Sequence, residues 1–224
     1  MSNGITAWSY SRYADYRQCP LRFKLKHIDR LKEPGSPAMQ RGSEIHKKGE
    51  DWLNAKRKRK LPEEYTHFAD EMHQLRELNP MVEQQWGFTS DWEPTSWFGS
   101  DTWLRVVCDV AIVYDDGDAD VIDFKTGRKY DTNEEQVELF GNAIFWKFPD
   151  VERVTTRLWY LDQPNDNEVV REFERKDAPK VRREWEKKIV PMFKDKRFAP
   201  TPNEKCRWCA FSKDKGGPCP YNGG

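Results

Sequence analysis

Long apolar runs are lacking in this chain of 224 residues: no stretch approaches the roughly 20 consecutive apolar side chains that span a bilayer. The opening stretch, MSNGITAWSYSRYADYRQC, lacks the apolar core of a signal peptide. Both absences lead us to expect a soluble cytoplasmic protein with no membrane partner. A charge excess is lacking too, since Lys+Arg and Asp+Glu are both 38 and the formal net charge is zero. No global basic field points to a polyanionic partner, although a groove needs only local positive charge. Cysteine is scarce, at five residues. In a reducing compartment that number argues against a disulfide framework and for metal ligation or buried thiols. Internal repeats and low-complexity tracts are also missing.

What the chain does have is aromatic bulk. Hydrophobic residues make up only 37%, but ten Trp and twelve Phe supply much buried area per residue, and the length suits one globular domain with its own core. Apolar spacing predicts a helical start over residues 8–30, broken at Cys19-Pro20, then a Pro/Gly loop at 32–39. A second helix is expected over 39–56, with Gly42, His46 and Glu50 four apart on one face, and a third over 63–78. Between them the run KRKRK at 56–60 reads as a solvated loop and as the best local candidate for a phosphate contact. Residues 82–103 look strand-like, with Trp86, Phe88, Trp92, Trp97 and Phe98 among turn formers. Further on come an amphipathic helix over 133–148 with Asn133 as cap and Gln136 at the third position, strands at 154–161 and 169–173, and a last helix over 178–193. Residues 200–224 are irregular.

The chemistry concentrates at residues 103–127. Two strands, 103–114 and 121–125, are joined by an acidic turn with Gly117, and they carry Asp109, Asp123 and Lys125. A carboxylate in an apolar strand is costly to bury unless a cation compensates it. If the two strand faces converge, Asp109, Asp123 and a main-chain carbonyl form an oxygen-rich site for a hard divalent ion, with Lys125 placed to stabilise an anionic transition state. The blander alternative is that each aspartate caps a turn or pairs with an arginine.

Asp109 followed by Asp123-Phe124-Lys125 resembles the D...(D/E)-x-K signature of the PD-(D/E)XK nuclease superfamily, and Asp-Phe-Lys-Thr-Gly at 123–127 resembles its RecB-type branch. That branch carries Gly-x-x-x-His upstream, matched by Gly42 and His46, and Gln-x-x-x-Tyr on the following helix, matched by Gln136 with Phe140 in the tyrosine position. The resemblance implies a restriction-endonuclease-like α/β fold with a central mixed sheet flanked by helices. It implies His46, Asp109, Asp123 and the Phe124 carbonyl as ligands for Mg2+ or Mn2+, Lys125 as the catalytic lysine and Gln136 as a supporting or DNA-contacting group. Glu83, near the start of the strand region, is a marginal further acid whose alternative is an exposed strand end.

Cys206-x-x-Cys209 and Cys219 lie near the C-terminus and Cys19 near the N-terminus. On spacing alone, zinc is the default occupant. The set also resembles the iron-sulfur subset of RecB-type nucleases, which includes CRISPR-associated exonucleases and the AddB nuclease domain. That resemblance implies a 4Fe-4S cluster on Cys19, Cys206, Cys209 and Cys219, acting as a staple between the chain ends, with Cys108 left as a core thiol. The expectation is one nuclease domain over 1–224: a helical part to residue 80, a catalytic core over 81–195, and a tail over 196–224 closing on Cys19. Its activity would be metal-dependent exonucleolytic hydrolysis of linear or single-stranded DNA in a bacterial, archaeal or phage-infected cell, with a recombination or CRISPR-adaptation protein as partner. The alternatives are a non-catalytic nucleic-acid-binding or scaffold protein with structural zinc, and a sequence-specific endonuclease.

Overall fold

The computed structural model describes residues 4–130 and 132–223. The chain divides into two compact units, one made of residues 37–183 and the other of residues 1–36 with 184–224.

The intervening unit is built on a six-stranded sheet in the order β2-β1-β3-β4-β5-β6. The strands are β1 (Met81–Phe88), β2 (Pro94–Thr95), β3 (Leu104–Val113), β4 (Asp118–Lys125), β5 (Arg153–Tyr160) and β6 (Glu168–Glu174). All pairings are antiparallel except β4 with β5, which are parallel from Asp118↔Arg153 to Lys125↔Tyr160. A parallel pair needs a crossover, and α5 (Thr132–Lys147) supplies it. The expected hairpin of β3 and β4 is present. Its turn closes with Tyr114 N–H donating to Asp118 O at 2.9 Å and Gly117 at φ +88°, a left-handed conformation that glycine adopts without strain.

One core of this unit packs α3 (Pro37–Leu53) and α4 (Ala69–Glu77) on the sheet. Ile45, Trp52 and Leu53 meet Tyr65, Phe68 and Met72, together with Val110, Ile122, Phe124 and Trp159 from the strands. A smaller cluster of Val137 from α5 with Leu158 and Tyr160 from β5 lies apart from it. By alternation along β4, Ile122 and Phe124 serve the first cluster while Asp123 and Lys125 point the other way.

Some sequence expectations need correction. The strand-like stretch 82–103 pairs only at β1 and the two residues of β2. The rest is turn, because Thr89 Oγ1 caps the amides of Asp91 and Glu93, and Phe98 is left 86% exposed. The helix expected from residue 63 opens as a 3-10 segment, Glu63–Phe68, before α4. Helix α3 begins two residues earlier than expected and ends at Leu53. Asn133 lies inside α5, its Nδ2 donating to Tyr160 Oη at 3.2 Å, so it is not the cap; the residue preceding the helix falls outside the described residues.

The unit made of the chain ends holds α1 (Tyr10–Gln18), α2 (Pro20–Phe23), a π-helical turn at Lys24–Ile28 and the C-terminal turns of α6 (Ala178–Lys194). Ser9 caps α1, accepting from Arg12 N–H at 3.4 Å. The core here is aromatic: Trp8 stacks on Trp185 at 5.8 Å, Tyr13 meets Trp185 edge-on at 5.5 Å, and Phe23 stacks on Phe198 at 6.1 Å. Among the described residues, no helix is long and apolar enough to cross a membrane.

Candidate metal centre

The site forms where the sheet stops pairing. The β3–β4 ladder runs from Val113↔Ala119 to Val110↔Ile122 and ends there, and β1 pairs with β3 on either side of Asp109 but not at it. Asp109 Oδ2 takes the Phe124 N–H at 2.7 Å, in place of a ladder bond. The same oxygen lies 3.3 Å from His46 Nδ1 on α3.

Glu83 lies opposite Asp109 at the one position skipped by the β1–β3 register, between the pairs Val82↔Val110 and Gln84↔Cys108. Its φ of +49° is left-handed, a costly conformation for a glutamate inside a strand. Ligand atoms of His46, Glu83 and Asp109 all lie within 4.8 Å of one another. An open cleft of about 450 Å³ lined by Gly42, Ser43, His46, Lys47, Glu50 and Glu83 adjoins them. Glu83 is therefore a member of the group and no exposed strand end. Little in the sequence marks it, because Val-Glu-Gln-Gln has no alternation to show which way the glutamate points.

Asp123, Lys125 and Gln136 make a second set. Asp123 is 3% exposed and its Oδ2 contacts the Lys125 ammonium without forming a well-directed hydrogen bond. Gln136 joins both partners: Lys125 Nζ donates to its Oε1 at 2.9 Å, and its Nε2 donates to Asp123 Oδ1 at 3.3 Å. Gln136 thus serves the lysine and not the helix cap that its spacing from Asn133 suggested. Phe124 buries its ring against Tyr65, with ring centroids 5.0 Å apart and edge-on. Phe140 is buried on α5 one turn beyond Gln136.

The electrostatics mark a place short of positive charge. Burial pushes the Glu83 carboxyl up to about 6, and Asp109 pushes in the same direction. Burial also raises Asp123, partly offset by Lys125. For His46, burial pulls the pKa down, but the hydrogen bond to Asp109 and the charges of Asp109 and Asp123 outweigh it and the net shift is upward. Carboxylates crowded in this way resist ionisation unless a cation joins them. The donor set of two carboxylates and an imidazole fits a divalent ion of the Mg2+ or Mn2+ class.

Outside this group, Arg41 and Asp162 hold the loop after β4. Arg41 makes a two-pronged contact with Asp162 at 2.6 and 2.8 Å, and Asp162 Oδ2 accepts from Gly127 N–H at 2.7 Å. Sequence reasoning missed this pair, because the partners are 121 residues apart. Gly42 stands beside the same loop, where a Cβ would come within 3.3 Å of Thr126 Oγ1.

In the other unit, the four remaining cysteines line one cavity with Leu21, Leu25, Pro200 and Phe211. Cys19 occupies the break between α1 and α2, and Cys206 sits in a 3-10 turn, Glu204–Trp208, capped by Asn203. Backbone N–H groups point at sulfur: Thr201 to Cys19 Sγ at 3.5 Å and Asn203 to Cys206 Sγ at 3.3 Å. Burial raises the Cys209 thiol, and the neighbouring thiols of Cys19 and Cys219 add to the effect. None of the five cysteines is in a disulfide, and Cys108 lies fully buried in β3, its pKa raised by burial.

A family model for the PD-(D/E)XK nuclease superfamily matches residues 7–213. The crystal structure of SSO0001 is similar at a TM-score of 0.51 and 17% identity, covering 96% of this chain and 86% of that one. A candidate exonuclease from Eubacterium rectale aligns at a TM-score of 0.49 and 11% identity, covering 91% and 87%. No curated protein matches the chain significantly.

Proposed function

From the premise that this chain belongs to the PD-(D/E)XK nuclease superfamily, we propose that it is a divalent-metal-dependent DNA nuclease acting on ends or single strands. The observation that carries this reading is the convergence of His46, Glu83 and Asp109 within 4.8 Å, beside the Asp123–Lys125–Gln136 set. The RecB-like order of motifs supports the preference for ends and single strands.

A bound Mg2+ or Mn2+ would supply Lewis acidity at the scissile phosphate. His46, Glu83 and Asp109 would hold it, with Asp123 and the Phe124 carbonyl as the further oxygens implied by the family pattern. Lys125 has its ammonium fixed by Asp123 and Gln136. In that position it orients the attacking water and stabilises charge developing on phosphate oxygens. Gln136 keeps the lysine from swinging into solvent.

The four-cysteine cavity fits a 4Fe-4S cluster held by Cys19, Cys206, Cys209 and Cys219, since four thiols face one apolar space and N–H donors point at two of the sulfurs. The cluster's contribution is to fold stability. With the family match spanning residues of both units, we take residues 1–224 as one nuclease module.

The test is degradation of linear, circular, single-stranded and end-blocked DNA with Mn2+ or Mg2+. We expect loss of linear and single-stranded DNA, abolished by Asp109→Asn. If the parent degrades none of these, the catalytic reading falls. Discrete cuts in circular DNA would replace the exonuclease with an endonuclease.

A further inference from the structure

We propose that the loop Lys56–Arg57–Lys58–Arg59–Lys60 is a preorganised docking site for the phosphate backbone of the DNA substrate. The inference rests on the nuclease reading above and names where the substrate strand is held.

All five side chains are exposed, and none forms an ion pair among the described residues. Of the ten other exposed cations in this unit, seven are in ion pairs. On the helix just before the loop, Lys47 pairs with Glu50 and Asp51, and Lys48 with Glu64. A chain with equal numbers of acidic and basic residues has carboxylates enough to pair these five as well.

The backbone of the loop is nonetheless held from beneath. Arg76 Nη2 donates to Ala55 O at 2.5 Å and to Arg57 O at 2.7 Å, and Trp52 Nε1 donates to Arg59 O at 3.2 Å. Arg76 in turn stacks on the Trp52 ring at 4.8 Å, and Trp52 is 2% exposed. Two carbonyls of the loop and that of the preceding Ala55 are thus tied to a buried indole and a sixth cation, while the charged side chains stay in water.

Five adjacent like charges repel within a Debye length of about 8 Å. A loop that carries this repulsion, is braced against it and acquires no counter-charge breaks a local rule with no gain in folding stability. Such a conflict is expected where a ligand supplies the missing charge. Held carbonyls lower the ordering cost when a strand binds. The ligand chemistry is a run of phosphates rather than a lipid surface, because the loop presents no exposed apolar side chain to insert among acyl chains. The placement agrees, since the loop follows the helix that carries His46, and Leu53 lies about 10 Å along the axis from it. That distance corresponds to a few phosphates of a bound strand.

The experiment compares the parent with a variant in which Lys56, Arg57, Lys58, Arg59 and Lys60 are all changed to Gln, which leaves the pinned backbone in place. Binding of a fluorescent single-stranded oligonucleotide is followed in EDTA from 50 to 300 mM KCl, and cleavage with Mn2+ is measured separately. The variant is expected to bind about 10- to 100-fold more weakly at 100 mM KCl, with the slope of log K against log salt reduced by about 2 to 3, at about 0.7 per phosphate. Its loss of cleavage should fall mainly in KM. A control changing the paired cations Arg153, Arg171 and Lys176 to Gln should keep the parental slope. The double variant Lys58→Gln, Arg59→Gln, expected to lose about a third to a half of the slope change, serves if the fivefold variant does not fold. A parent that cleaves DNA while the variants keep its Kd and slope overturns the docking site and leaves the nuclease reading standing. A parent that neither binds nor cleaves overturns both. Loss of binding to phosphatidylserine vesicles with DNA binding intact overturns the proposal in favour of a lipid surface.

Discussion

At the scale of single residues, Asp109 and Glu83 set the character of the centre. Asp109 accepts from a backbone amide and lies beside His46, so Asp109→Asn removes a charge while leaving a side chain of the same shape. We expect DNA cleavage to fall about 10³-fold or more, with the melting temperature kept within a few degrees. Lys125→Ala should cost about 10²- to 10³-fold in kcat, the range for one lost transition-state donor. A steady-state assay at saturating Mn2+ checks both. Glu83 gives a pH signature. Its carboxyl sits near 6 against an ordinary 4.5, so the folded chain binds that proton more tightly than the unfolded one. Its contribution to metal-free stability is therefore full below about pH 4.5 and lost as the pH rises through about 6. Glu83→Gln should then raise the melting temperature in EDTA at pH 7.5 and leave it unchanged at pH 4. Added Mn2+ should stabilise the parent at pH 7.5 and progressively less below pH 6, as protons compete for the ligands. A parent whose metal-free melting temperature rises steadily from pH 4 to 7.5, with no gain from Glu83→Gln, would show that the carboxyl is not raised.

At the scale of elements, α3 matters because it carries His46 on the same helix that packs Ile45, Trp52 and Leu53 into the core. Gly49 permits this. A Cβ there would overlap the Tyr65 hydroxyl, which donates to Ile45 O at 3.0 Å. Gly49→Ala should destabilise the protein by about 1 to 3 kcal/mol in spite of alanine's better helix propensity, as urea unfolding would show. The elements that sequence revealed are those with strong local signals: the β3–β4 hairpin through its acidic turn and alternating apolar residues, and α5 through its amphipathic spacing. Asp109, Asp123, Lys125, His46 and Gln136 were legible as a constellation because each lies in a motif. Their division into two sets was not. That division depends on where the β3–β4 ladder ends and on the left-handed turn at Glu83, and these are set by tertiary register rather than by any local pattern. The strand expected through residues 97–98 failed because aromatic content alone cannot separate a paired strand from a capped turn.

At the scale of the whole molecule, the four cysteines around one cavity draw residues near both ends of the chain into one unit. Protein purified without oxygen should be brown and contain iron, and Cys206→Ala should bleach it and lower the melting temperature. Stoichiometric zinc in a colourless preparation would support the zinc alternative instead. The make-up of this unit has a further consequence for biosynthesis. Residues 4–36 leave the ribosome ahead of residues 37–183 but find their aromatic partners, Trp185 and Phe198, only after the whole of residues 37–183 has been made. Vectorial synthesis therefore leaves the first helices waiting, with Trp8 and Phe23 unburied, while the sheet is completed. A nascent chain that has not reached Cys219 holds Cys19 without all of the thiols that share its cavity, so the four-cysteine cavity can close only after residue 219 has been made.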